Sequence, residues 1–167
     1  MNNMSFERIS LAFPLALIAV AVGALGTAFT AEHLFGVEPC PLCLYQRIPY
    51  AAIGGLGLIG LVLRSPGALK AIVAIATAGF CIEAAIALYH VGVEQHWWAS
   101  AASCGGGVAK KMSIDMFQSL LQLKPAKACD EVDWTLFGIS MATYNVPVAL
   151  GLAAASAYVW RKMRKAA

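Results

Sequence analysis

Charged residues are scarce in this chain of 167 amino acids. Asp, Glu, Lys and Arg make up 13% of it, whereas hydrophobic residues make up 60%. Water-soluble domains usually carry about 25% charged residues, so this composition excludes an ordinary soluble globular domain. The chain also has no large excess of basic over acidic residues, with 12 Lys and Arg and 9 Asp and Glu. We therefore expect an integral membrane protein and no nucleic-acid partner.

Long apolar stretches are present instead, and four of them approach the roughly 20 residues needed to cross a bilayer core. They cover about 10–30, 46–63, 71–89 and 139–160. The first is longer than the roughly 7 to 15 apolar residues of a signal peptide, which favours a retained span over a cleaved one. Because strands of a membrane barrel would alternate polar and apolar residues, these continuous runs indicate helices. The predicted fold is an all-α membrane protein, one domain over 1–167 built as an antiparallel bundle of four transmembrane helices.

The basic residues that flank the spans predict the topology. They fall on one side of the bundle: Arg8, Arg64, Lys70 and the tail at 161–165. Loops rich in Lys and Arg stay in the cytoplasm, so we expect both termini there. The loops at about 31–45 and 90–138 should then lie on the outer side; the second is long, and long loops are translocated largely regardless of charge.

The cysteines support the same orientation. Cys40, Cys43, Cys104 and Cys129 all lie in the two loops assigned to the outer side, and Cys81 alone lies within a span. Disulfides persist outside the cytosol and are rare inside it. Charge and cysteine placement thus put the same loops in an oxidising compartment.

The run CPLC places Cys40 and Cys43 at the entrance to the second span, with Pro41 suited to the first turn of its helix. A CxxC pair can cycle between dithiol and disulfide, and the positive end of a helix lowers a cysteine pKa. Arg47, four residues after Cys43, lies on the same face one turn deeper. It could anchor a lipid phosphate, but its place beside CPLC favours stabilising a Cys43 thiolate or an anionic electron acceptor.

Cys104 and Cys129 are 25 positions apart, and three glycines follow Cys104. The pair could form a disulfide that only stabilises the fold. It could instead form an exchangeable disulfide, which a partner thiol reaches because the glycines make the backbone flexible. The residues alone do not decide between these two roles. Between them, 112–123 has the spacing of a short amphipathic helix. That helix could cover its own loop or lie in the outer membrane interface, with Trp97 and Trp98 as further anchors.

Three other local patterns in or beside the second span have bearing on function. Gly55, Gly57 and Gly60 match GxGxxG, but no strand precedes them, so we expect no nucleotide site. Small residues in the second span are better interpreted as positions of close helix packing: Ala51, Gly54, Gly55 and Gly57. Leu44 excludes a c-type haem, which requires CxxCH.

Three motifs together resemble a known family. PCPLCLYQR at 39–47, YHVGVEQ at 89–95, and CD at 129–130 ahead of WTLFGISM are similar to the bacterial disulfide bond formation protein B family, DsbB. The resemblance covers essentially the whole chain. It implies an enzyme of the bacterial inner membrane, a protein thiol:quinone oxidoreductase that reoxidises a periplasmic partner of the thioredoxin-fold DsbA type. The implied cofactor is ubiquinone or menaquinone, with no metal and no nucleotide.

The resemblance also implies residue roles. Cys104 and Cys129 would form the disulfide that the partner attacks, with the mixed disulfide at Cys104. Cys129 would then attack Cys40, and Cys43 would leave as the thiolate that interacts with quinone. Arg47 and His90 match positions that the family associates with the quinone, so the expected quinone-binding residues are Cys43, Arg47 and His90.

Two alternatives belong to other classes. A vitamin K epoxide reductase-like enzyme is also quinone-linked, but carries its quinone-proximal CxxC late in the bundle. A cysteine-ligated zinc protein would normally show two CxxC pairs, and this chain has one. Two further residues in the third span receive no catalytic role: Cys81 is interpreted as apolar filler, and Glu83 as a neutral or internally hydrogen-bonded packing residue.

Overall fold

The computed structural model describes residues 3–100, 128–132 and 134–165. Four helices make up most of these residues: α1 (Asn3–Leu34), α2 (Pro41–Val62), α3 (Pro66–Glu94) and α4 (Met141–Lys165). Each contains most of one predicted apolar stretch and extends beyond it at one or both ends. The prediction of four long helices is confirmed within the described residues.

A short antiparallel hairpin precedes α4 and was not predicted. Strand β1 (Thr135–Leu136) pairs with β2 (Ile139–Ser140), so the start of the fourth predicted stretch is a strand and the helix begins at Met141. Phe137 and Gly138 form the turn, with φ of 52° and 78°. Two consecutive residues with positive φ suit the tight turn of a two-residue hairpin, and Gly adopts that conformation without strain. Apolar composition alone could not reveal this turn.

Two of the four helices are long and apolar enough to cross a membrane. They are the segments Glu7–Leu34 within α1 and Pro66–Glu94, which is α3. Among the described residues, α2 and α4 do not meet the same criterion. Both carry polar side chains near one end, which shorten their apolar stretch. In α2 these are Gln46 and Arg47 near the start, and in α4 they are the basic residues of the last turn.

The helices pack in sequence. α1 lies against α2, α2 against α3, and α3 against α4. The central core draws buried side chains from all four helices: Leu17, Tyr50, Ile53, Ile72, Ala76, Phe80 and Ala153. Because α2 is held on both sides, the position of its first turn is fixed by packing against two neighbours.

Small residues on one face of α2 allow the close approach of α1. A Cβ atom added to Gly57 would lie 2.8 Å from the Pro14 carbonyl oxygen, and one added to Gly54 would lie 2.8 Å from the Ala21 Cβ. The prediction of close packing is confirmed for these two positions. It is wrong for Gly55, which has open space around its Cβ position, and for Ala51, which is exposed. Positions 51 and 55 are one turn apart on a different face of the helix.

We expect Gly57→Ala to destabilise the protein by about 1 to 3 kcal/mol, because the added methyl group meets main-chain atoms of α1 that cannot move aside. The measurement is thermal unfolding in detergent. Gly55→Ala is the matched control on the same helix, and it should be neutral or slightly stabilising since Ala is the better helix former. Equal unfolding temperatures for the two variants would contradict the close contact at Gly57.

Candidate functional site

Cys40 and Cys43 lie together at the N-terminus of α2. Cys40 is the N-cap residue, its sulfur accepts a hydrogen bond from the Cys43 backbone N–H, and Pro41 occupies the first turn as predicted. The two sulfur atoms are 3.0 Å apart, a hydrogen-bonding distance between thiols. Cys40 is buried, whereas Cys43 is partly exposed. The CxxC spacing thus places both sulfurs within one helical turn, as a redox-active pair requires.

The two thiols differ in acidity. A hydrogen bond from the Cys40 thiol lowers the pKa of Cys43 to about 7, and the nearby Arg47 charge lowers it further by a smaller amount. The same hydrogen bond and burial raise the pKa of Cys40, and they outweigh the backbone N–H that the helix terminus offers it. Cys43 is therefore the sulfur that carries negative charge more readily. The chief cause is Cys40, with Arg47 secondary.

The acidity of Cys43 predicts a pH dependence. In the reduced protein, alkylation of Cys43 should rise through a midpoint near pH 7, since its pKa is lowered to about 7 and only the thiolate reacts. Cys40→Ala removes the hydrogen-bond donor and should move that midpoint upward. Mass spectrometry after short iodoacetamide pulses measures the rate at each pH. A midpoint unchanged in Cys40→Ala would contradict the assigned cause.

Cys129 lies in the same buried cluster as Cys40. This cluster consists of Cys40, Leu42, Val93 and Cys129, and Cys43 and Tyr89 pack against it. Cys129 is 1% exposed. The fold therefore brings the late cysteine to the first cysteine of CPLC, although 89 positions separate them in sequence. Cys104 and the predicted amphipathic helix at 112–123 lie outside the described residues.

His90 joins the thiols from the end of α3. Its Nε2 is 3.5 Å from the Cys40 sulfur and 3.8 Å from Oε1 of Glu94, one helical turn further on. The Glu94 carboxylate also accepts a hydrogen bond from the Ser140 hydroxyl through its other oxygen. Glu94 was missed in the sequence analysis. Its spacing of four residues from His90 within YHVGVEQ was the available signal.

Arg47 is held by α1. Its guanidinium forms a 2.7 Å ion pair with Glu32, and it lies over the Phe29 ring at 4.9 Å from the centroid. Glu32 was also missed, and no local pattern indicated it, because the contact depends on how α1 packs against α2. The ion pair keeps the cation near the thiol pair within a largely apolar environment.

A cavity of about 600 Å³ opens beside these residues. Side chains of α1, α2 and α4 form most of its wall, and most of them are apolar. One end is polar, and the side chains that line it are Glu32, Cys40, Cys43, Gln46, Arg47, His90 and Glu94. Among the described residues, Gln46 Nε2 and Arg47 Nε are buried without a hydrogen-bond partner. The cavity therefore suits a molecule with an apolar body and a ring that carries hydrogen-bond acceptors.

A chain of hydrogen bonds lies deeper in the bundle. The Tyr50 hydroxyl donates to the Asn145 side-chain oxygen, and the Asn145 amide nitrogen donates to Glu83. Glu83 is fully buried, and the interpretation of this residue as an internally hydrogen-bonded group is confirmed. Tyr50 and Asn145 line the cavity. The chain links α2, α4 and α3 at one level.

Comparison with known proteins gives a consistent result. The model of a family described as "Disulfide bond formation protein DsbB" matches residues 10–159. An uncharacterized protein of Rickettsia prowazekii is 31% identical over 79% of this chain and 77% of its own length. A disulfide bond formation protein B of Methylobacillus flagellatus is 31% identical over 78% of this chain and 80% of its own length. Another disulfide bond formation protein B, from Xanthomonas campestris pv. campestris, is 31% identical over 91% of this chain and 90% of its own length.

Proposed function

Since the chain belongs to the disulfide bond formation protein B family, a family of membrane oxidoreductases of disulfide bond formation, we propose that it is a protein thiol:quinone oxidoreductase of the bacterial inner membrane. It reoxidises a periplasmic dithiol protein of the DsbA type and passes the electrons through two cysteine pairs to membrane quinone. The observation that carries this proposal is that Cys40, Cys43 and His90 line the polar end of an apolar cavity, with Cys129 packed beside Cys40. Family membership decides against the vitamin K epoxide reductase alternative.

All four helices span the bilayer in the proposed topology, as an antiparallel bundle. Both termini are cytoplasmic, and the segments at about 31–45 and 90–138 are periplasmic. The basic tail of α4 and the Arg64–Lys70 connection support this orientation, because both lie at the end of the bundle opposite Cys40. The reactive thiols are then at the periplasmic face, where a soluble partner reaches them.

Electrons enter by thiol–disulfide exchange. The partner thiolate attacks Cys104 of the Cys104–Cys129 disulfide, that bond breaks, and Cys129 leaves as a thiolate. Cys129 then attacks the Cys40 sulfur of the Cys40–Cys43 disulfide, and Cys43 leaves with the electron pair. The burial of Cys129 beside Cys40 supports the second attack, and the lowered pKa of Cys43 makes it the better leaving group.

Quinone binding rests on the fit of the cavity. Ubiquinone and menaquinone each combine an apolar tail with a ring that carries two carbonyl acceptors, and the buried donors Gln46 Nε2 and Arg47 Nε lie at the polar end. Arg47, His90 and Cys43 would hold the ring there. A bound quinone supplies a two-electron acceptor. The protein's part is to orient the ring, to exclude water with the apolar wall, and to present the Cys43 thiolate.

The experiment that tests this function is quinone-coupled oxidation of a partner. Purified protein receives a reduced DsbA-type protein and ubiquinone or menaquinone, and quinone absorbance and partner thiols are followed together. We expect one quinone reduced for each partner dithiol oxidised. Partner oxidation with no loss of either quinone would overturn the proposed acceptor.

Arg47→Ala should reduce quinone turnover by roughly 10- to 100-fold, the effect of losing one charge-assisted hydrogen bond, while leaving exchange with the partner intact. Stopped-flow measurement of the two half-reactions separates these effects. Arg64→Ala is the matched control, because it removes an exposed cation at the opposite end of the bundle. Equal quinone turnover in Arg47→Ala and the parent would remove Arg47 from the quinone site.

A further inference from the structure

The reduced thiol pair and His90 have the arrangement of metal ligands. The two sulfur atoms of Cys40 and Cys43 and one imidazole nitrogen of His90 lie within 4.8 Å of one another. A carboxylate oxygen of Glu94 lies 3.8 Å from His90 Nε2, outside this group of three, and would have to move toward the sulfurs to become a fourth donor. Two thiols, an imidazole and a carboxylate form a donor set typical of Zn²⁺.

The spacing of these atoms is close to that of a tetrahedral site. With Zn–S near 2.3 Å and Zn–N near 2.0 Å, neighbouring ligand atoms lie roughly 3.3 to 3.8 Å apart. The Cys40 sulfur is 3.5 Å from His90 Nε2, which is within that range. The two sulfurs, 3.0 Å apart, would have to separate by less than about 1 Å. A side-chain rotation of Cys43, which is partly exposed, is enough to open this gap.

The surrounding groups orient these ligands as they do in metal sites. The Ser140 hydroxyl donates to the other Glu94 oxygen, Oε2, and so restrains the carboxylate. Outer contacts of this kind are typical of protein metal sites and strengthen binding. All four donor residues line the cavity, which gives an ion a route to them.

We propose that the dithiol form of the Cys40–Cys43 pair binds one thiophilic divalent cation, represented by Zn²⁺, through Cys40, Cys43 and His90, with Glu94 as the fourth ligand. Binding releases the two thiol protons and transfers no electrons. Formation of the Cys40–Cys43 disulfide removes two of the four ligands, so the ion and the disulfide exclude each other. A bound ion therefore holds the pair reduced and stops its oxidation. The sequence analysis argued against a cysteine-ligated zinc site because a second CxxC pair is missing, and here ligands from another helix take the place of that pair.

The test uses the full chain in detergent and Zn²⁺ alone, without quinone or partner protein. A Cys104→Ser, Cys129→Ser double variant removes the other two loop thiols, and competition with a coloured chelator measures affinity and stoichiometry. We expect one Zn²⁺ per reduced chain and none after oxidation to the Cys40–Cys43 disulfide. Co²⁺ in the same protein should give the absorption of a thiolate-bound tetrahedral ion.

Ligand variants in that double-variant background decide whether the site is built as proposed. Loss of an outer contact weakens metal affinity by roughly 10- to 100-fold, and Ser140→Ala should weaken Zn²⁺ binding within that range. His90→Ala removes a ligand, so it should weaken Zn²⁺ binding by more than that. Glu94→Gln keeps the shape of the side chain, so it tests the fourth ligand even where His90→Ala does not fold. Cys81→Ser, remote and exposed, is the matched control and should bind as the double variant does.

Two results would overturn the proposal: no Zn²⁺ bound by the reduced double variant, or unchanged affinity in both His90→Ala and Glu94→Gln. The second would mean that the dithiol alone captures the ion. Because the assay contains neither quinone nor partner, its failure leaves the proposed oxidoreductase function unaffected.

Discussion

We expect Cys40→Ser to abolish quinone-coupled oxidation of a reduced DsbA-type partner. In the proposed relay Cys129 attacks the Cys40 sulfur, and Cys40 is the buried member of the pair beside Cys129. A serine there cannot form a disulfide with Cys43, so no electrons cross from one cysteine pair to the other. The measurement is loss of quinone absorbance in detergent or in membranes, which should fall to the rate without enzyme. Cys104→Ser should have the same effect, because it removes the sulfur that the partner attacks in the proposed relay.

Cys81→Ser is the control for this experiment. Cys81 is an exposed thiol on α3, away from the cluster around Cys40, and its loss should leave quinone turnover at the parent rate. Thermal unfolding of each variant shows whether the fold is retained. Substantial quinone reduction by a folded Cys40→Ser protein would contradict the relay through CPLC.

We expect Cys129→Ser to stop turnover at a different step, with Cys40 and Cys43 still joined as a disulfide in the presence of excess reduced partner. Cys129 is the only described cysteine packed against the CPLC pair, so its loss cuts the pair off from the partner. Arg47→Ala should show the opposite state and accumulate reduced Cys40 and Cys43, because it slows the step after them. Thiol alkylation followed by mass spectrometry distinguishes the two states.

A bypass experiment separates a broken relay from a damaged site. A small dithiol reductant can reach the partly exposed Cys43 directly, and it should restore quinone reduction in Cys129→Ser. The same reductant should fail in Cys40→Ser, which has no disulfide at this position. If it failed in both variants, Cys129 would be needed for the quinone reaction itself, and the proposed order of transfer would be wrong.

The sequence predicted the helical segments and the start of α2 because apolar runs, prolines and CxxC spacing are local signals. It did not predict how each helix is rotated. Gly54 and Gly57 face α1 while Gly55 does not, and this depends on packing with a neighbour. The hairpin at Thr135–Ser140 was missed since apolar strands and helix starts look alike in composition.

The candidate functional site shows more clearly that local sequence signals do not predict contacts between helices. CPLC, Arg47, His90 and the late cysteine were all recognisable as motifs, but their neighbours were not. The ion pair between Glu32 and Arg47 joins two helices, and so does the contact between His90 and Cys40. Such contacts follow from the folded arrangement, and a single sequence without its structure does not contain a local signal for them.

The hydrogen-bond chain of Tyr50, Asn145 and Glu83 has a consequence for helix register. It joins α2, α4 and α3 through two side-chain hydrogen bonds. If one helix slid along its neighbours by a single turn, about 5.4 Å, the chain would separate and leave polar atoms unpaired in apolar surroundings, at a cost of several kcal/mol. The hydrogen-bond chain therefore fixes the position of α2 relative to α3 along the helix axes. In doing so it keeps the Cys40–Cys43 turn level with His90 through each cycle of oxidation and reduction.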